Sequence, residues 1–171
     1  MLEVKAVETE KSEGPLRLKD EDELRLLVGM NADYYLDKWN FIEKTGNTVV
    51  LNLWSLIFGL FWMVYRKMYL YALIAYIFMS LVFVIKSVMK QSIFVNYVSF
   101  FVFGFFFAFF GNYIYYVHTR NKLAKLRKDN LLHEDIDKKL KILGGTSWVS
   151  VIVLFVLLIG AGFVWSHVVL N

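Results

Sequence analysis

The sequence predicts an all-α, multi-pass helical membrane protein with three transmembrane helices, a re-entrant or interfacial aromatic helix, and a short amphipathic N-terminal helix. Three observations lead there. Hydrophobic residues make up 58% of the 171, above the ~45–50% usual for soluble domains. Apolar residues gather into runs longer than the ~10-residue alternating segments of a membrane β-barrel. The single proline, Pro15, interrupts none of these runs.

Taken in order, residues 1–23 are expected to be a disordered acidic tail, with Glu3, Glu8, Glu10 and Glu13 around Gly14-Pro15. They lack the basic patch and apolar core of a cleavable signal, so the first membrane segment is expected to direct targeting. Residues 24–47 form the amphipathic helix, expected in the cytoplasm. Asn31 suits its N-cap, Asp33 its first turn, Lys44 its last turn and Gly46 its C-cap. Ala32, Tyr35, Trp39 and Ile42 share one face, which docks on the protein's own polar parts or, through Trp39, on lipid or a partner.

Residues 48–171 form the membrane domain. The apolar run 48–64 has 17 residues, about 25 Å of helix against a hydrocarbon core of about 30 Å. Asn52, Ser55 and Gly59 make it a poorer span still. Segment 49–65 is therefore expected to enter the bilayer and bend into the next helix, with Tyr65, Arg66, Lys67 and Tyr69 as headgroup anchors. Spans follow at 69–85, ended by Lys86, and at 93–117. In the second, Gly104, Ala108 and Gly111 recur at helical spacing and allow close helix packing, while Asn112 bonds across helices. A basic cytoplasmic loop, 118–146, leads to a last span, 147–169, with Trp148 and Trp165 at its interfaces. Asn52 is placed to cap the short helix after it.

Charge sets the orientation. Residues 1–47 hold seven basic and eleven acidic side chains, and 118–146 hold eight basic and four acidic. With 49–65 not crossing, a cytoplasmic N-terminus leaves only Lys86 and Lys90 outside, which obeys the positive-inside rule. If 49–65 crosses, the chain has four spans and an external N-terminus.

Several landmarks together resemble a family of small bacterial membrane proteins known as domain of unknown function 2628. They are Gly29, Asn31-Ala32, Tyr34-Tyr35 and Trp39; Asn52, Trp62 and Tyr65-Arg66-Lys67-Met68-Tyr69; Gly111-Asn112, Tyr116 and His118; and Gly144-Gly145-Thr146-Ser147. The likeness covers roughly residues 28–148. It implies a bacterial plasma-membrane protein and no particular activity. Many members carry Pro where this chain has Leu60, and its absence argues against a sharp break inside 49–65.

Little in the chain points to catalysis. There is no cysteine, and His118, His133 and His167 are too scattered for the three or four converging ligands of a metal site. The serines Ser55, Ser80, Ser99 and Ser150 have no acid or base near them in sequence. No metal, cofactor or nucleic acid is expected, since the basic run 120–128 has no interleaved aromatics. The preferred reading is a non-enzymatic adaptor or platform in the bilayer. Trp39, Arg120, Lys122 and Lys125 would meet anionic lipid headgroups or a cytoplasmic protein. The alternative is a channel or transport subunit that forms a homo-oligomer through Gly104, Ala108 and Gly111.

Overall fold

The computed structural model describes residues 18–128 and 133–170. Among the described residues the chain forms helices and no strand: α1 Leu18–Val28, α2 Ala32–Thr45, α3 Leu53–Phe58, α4 Leu60–Tyr65, α5 Tyr69–Val88, α6 Ile93–Lys128, α7 His133–Leu143 and α8 Trp148–Leu170. Three stretches are long and apolar enough to cross a membrane, in α5, in α6 and running into α8. The chain is thus a multi-pass helical membrane protein.

Helix α6 is the spine. Its 36 residues make a rod of about 54 Å, longer than the bilayer core. The apolar part ends near Val117, and the helix runs on through Lys122, Ala124, Lys125 and Leu126, all good helix formers. The expected loop 118–146 is therefore mostly helix, made by the end of α6 and by α7. Similarly, α5 runs past Lys86 to Val88.

The N-terminal region also differs from expectation. Residues 18–23 are helical rather than tail, and the single helix expected over 24–47 is two helices broken at Gly29 (φ +64°). Residues 1–17 lie outside the described part. Leu24, Leu27 and Val28 are buried, where α1 packs on α6 and α7. The break is a contact of backbone on backbone. A Cβ on Gly29 would lie 3.2 Å from the Cα of Gly145, and one on Gly144 only 2.2 Å from the Leu27 carbonyl oxygen. The Gly145 N–H donates to that same oxygen at 2.8 Å. Asn31 occupies the N-cap position of α2 in a left-handed conformation, and its side chain makes no cap bond. Gly46 closes α2 as expected, its N–H on the Ile42 carbonyl.

Segment 49–65 is a hairpin, and its depth can be read against α6. Glu43 reaches Arg120. The chain then descends extended, with the N–H groups of Val50 and Asn52 donating to the carbonyls of Phe109 and Ala108. Leu56 lies beside Gly104, and Gly59 beside Phe107. From there the chain climbs back, with Trp62 against Tyr115. The tip, where Leu56 meets Gly104, lies about 20 Å along α6 from Val117. The segment doubles back on itself beside α6, the shape expected of a re-entrant segment. Its turn is Gly59 (φ 45°, ψ −113°), a conformation open to glycine and few other residues. The sharp break is present without the family's proline.

The small-residue stripe of α6 faces this hairpin. Ala108 and Gly111 are buried, and a Cβ on Gly111 would stand 2.6 Å from Ser55 Oγ. The stripe does pack helices closely, but the helix it receives is α3 of the same chain. Ala108 and Gly111 of that stripe are thus covered within the chain, while Gly104 stays half-buried.

Candidate functional site

Helix α4 ends because Lys67 turns left-handed (φ 57°). Arg66, just before it, points inward and is 4% exposed. Expected among the headgroups, it instead sits where α1, α2, α4 and α6 converge. Nη1 donates to the carbonyls of Val28 (3.3 Å) and Met30 (3.1 Å), in the break between α1 and α2. The guanidinium carbon lies 4.4 Å from the ring centre of Tyr35, 5.4 Å from that of Tyr115 and 5.8 Å from that of Tyr65. Carbonyls at a helix C-terminus and aromatic faces both favour a cation. None of them carries a formal negative charge. Among the described residues no carboxylate reaches Arg66, and its Nε is buried with no hydrogen-bond partner.

The surrounding core is built from aromatic residues. Tyr35 is held by the Trp62 indole, which donates to its hydroxyl at 3.3 Å. Trp39, expected at a lipid or partner surface, is fully buried, and its indole N–H donates to the Asn112 carbonyl at 3.2 Å. The stripe that carries Trp39 docks on α6, which is the self-docking outcome. Asn112 bonds across elements as expected, to the Asn52 side chain and to the carbonyls of Val50 and Leu51. Asn52 caps α3 through the Ser55 N–H.

The other basic residues of this end are engaged within the protein. Lys67 Nζ reaches the carbonyls of Ile142 (3.1 Å) and Gly144 (2.5 Å), so it caps the end of α7 rather than a headgroup. Lys122 donates to the Leu143 carbonyl at 3.0 Å, and burial, then the nearby Lys67 charge, holds its ammonium below the usual lysine range. Arg120 pairs with Glu43, which also accepts from the Tyr116 hydroxyl. Lys125 is exposed. Tyr69 meets Ser150 through its hydroxyl (2.8 Å), and Tyr65 lies against Trp148, which is itself exposed.

Arg66 and Tyr35 form the polar end of a groove of about 700 Å³ between the hairpin and α8. Trp54, Phe58 and Trp62 line it on the hairpin side, Trp148, Ile152 and Phe155 on the other. A cation at one end of an apolar trough suits an amphiphile. No group of three His, Asp or Glu side chains able to hold a metal is present among the described residues.

A family model described as protein of unknown function (DUF2628) matches residues 16–120. The chain belongs to this family. No curated protein matches it, and no solved structure does. The DUF2628 match holds α1 to α5 and most of α6, and so contains Tyr35, the hairpin, Arg66 and Tyr115. It begins before the landmarks read from the sequence and stops short of Gly144-Gly145-Thr146-Ser147. The α8 wall of the groove, from Trp148 on, lies outside it.

Arg66 is the residue that sequence reasoning placed wrongly. An arginine after an apolar run is ordinarily a headgroup anchor. The signal for burial was spread over Tyr35, Tyr65 and Tyr115, which only the folded chain brings together.

Proposed function

We propose that this DUF2628 protein is a non-enzymatic, lipid-binding platform. It holds an amphiphile in the groove between its re-entrant hairpin and α8. The observation that carries this reading is a buried guanidinium without a carboxylate at one end of an apolar trough open to lipid. A buried cation with no counter-charge is costly, and such perturbed sites cluster where ligands bind. The groove walls offer no nucleophile and base in contact, which favours binding over catalysis.

The platform is the helical cap formed by α1, α2, α7 and the end of α6. Lys125, Lys138, Lys139 and Lys141 are exposed on it and offer a surface to anionic headgroups or to a soluble protein. The basic-residue count supports placing this cap in the cytoplasm, and the likeness to the family supports a bacterial plasma membrane.

The test is native mass spectrometry of the full chain released from detergent. One phospholipid retained per chain, and lost in Ile152→Trp, which fills the groove, is the expected result. A chain that retains no lipid under conditions that preserve its fold would overturn the reading.

A further inference from the structure

We infer that the occupant of the groove is an anionic phospholipid whose phosphate is drawn to Arg66. The inference rests on the groove reading above and adds the chemistry of the headgroup.

Arg66 is 4% exposed, and a buried cation is stable only when its charge and its donors are both met. Two backbone carbonyls and three tyrosine rings meet part of that need. They leave a net positive charge and a buried Nε with no acceptor. A guanidinium presents donors in a planar fork that fits phosphate oxygens. A phosphate at the polar end of the groove supplies the missing negative charge.

Neighbouring cations do not compete for it. Lys67 and Lys122 are held by the carbonyls of 142–144, and Arg120 by Glu43. A zwitterionic headgroup would bring its own ammonium beside Arg66, so a net anionic lipid is favoured. The rest of the groove suits the same molecule. Tyr65, at the end of α4, lies against the exposed Trp148 that starts α8, and such amphipathic rings suit the headgroup level. Phe58, Ile152 and Phe155 line an apolar channel for an acyl chain.

The experiment offers the full chain, in detergent, an equimolar mixture of phosphatidylglycerol and phosphatidylcholine of different masses, and reads the retained species by native mass spectrometry. Phosphatidylglycerol is expected to be retained about tenfold over phosphatidylcholine, the ratio that one charge-assisted contact supplies. Arg66→Lys should keep part of that preference. Arg66→Gln should retain lipid with no preference, a change that a purely structural role for Arg66 would not produce. Equal retention of both lipids by the wild-type chain would overturn the headgroup assignment and leave the groove reading standing. Retention of neither would overturn both. Full displacement of phosphatidylglycerol by added inorganic phosphate would mark a site for the free ion and overturn the lipid assignment. If Arg66→Gln does not fold, the wild-type competition together with Ile152→Trp decides the question.

Discussion

The side-chain amide of Asn52 donates to Oδ1 of Asn112 at 3.0 Å, with both residues fully buried. This bond joins the descending, extended limb of the hairpin to the middle of α6. Asn112 then uses its own amide to hold the carbonyls of Val50 and Leu51, which lie in extended chain and have no helical partner. In hydrocarbon such carbonyls must be met from within the protein. Asn112→Leu is expected to cost about 2–3 kcal/mol, since it leaves the buried Asn52 amide and the Val50 carbonyl without partners, while the Leu51 carbonyl keeps only the Tyr34 hydroxyl at 3.4 Å. Thermal unfolding of purified variant and wild-type chains in one detergent checks it. An unchanged midpoint would mean that water or lipid already serves those groups.

Gly111 and Gly104 share a face of α6 but not a fate. A Cβ on Gly111 would lie 2.6 Å from Ser55 Oγ and 3.0 Å from Ser55 Cβ, whereas one on Gly104 meets Leu56 at an ordinary 3.5 Å. Gly111→Ala is expected to destabilise by about 1–3 kcal/mol through overpacking, and Gly104→Ala by much less. The loss at Gly111 should shrink in a Ser55→Ala background, because contacting residues couple. Equal effects of the two glycine substitutions would place α3 elsewhere on α6.

Glu43 and Arg120 tie α2 to the part of α6 that leaves the bilayer, at 2.5 Å and with the two side chains 19% and 32% exposed. A double-mutant cycle with Glu43→Gln and Arg120→Gln is expected to give a coupling of only about 1 kcal/mol, because solvent screens the pair. The coupling should fall as salt rises from about 0.1 M to about 1 M and the Debye length shortens. A large, salt-independent coupling would indicate a pair shut off from water.

The chain's class was legible because it depends on composition and on run length. The three helices long and apolar enough to span followed from counting residues against a bilayer. Asn52 and Asn112 were legible because a polar side chain in hydrocarbon has few alternatives to bonding within the protein. Arg66 was not, since its burial is decided by three tyrosines from α2, α4 and α6 meeting at one point. For Trp39 the sequence left two surfaces open, its own chain and a lipid or partner. An aromatic stripe does not state which surface it covers, and here the surface is α6 of the same chain. The break at Gly29 was hidden because its cause, contact with Gly144 and Gly145, lies more than a hundred residues away in sequence.

The groove beside Arg66 requires a hairpin that enters and leaves the bilayer by the same face. The chain has no cysteine, so single cysteines at Thr45, Ser87 and Lys125, all exposed positions, can be labelled in intact cells with a reagent that does not cross membranes. Positions 45 and 125 are expected to behave alike and opposite to 87, which places α2 and the end of α6 on one side and the α5–α6 turn on the other. If position 45 instead labels together with 87 while 125 does not, residues 53–65 cross the bilayer and the groove beside Arg66 cannot be as described.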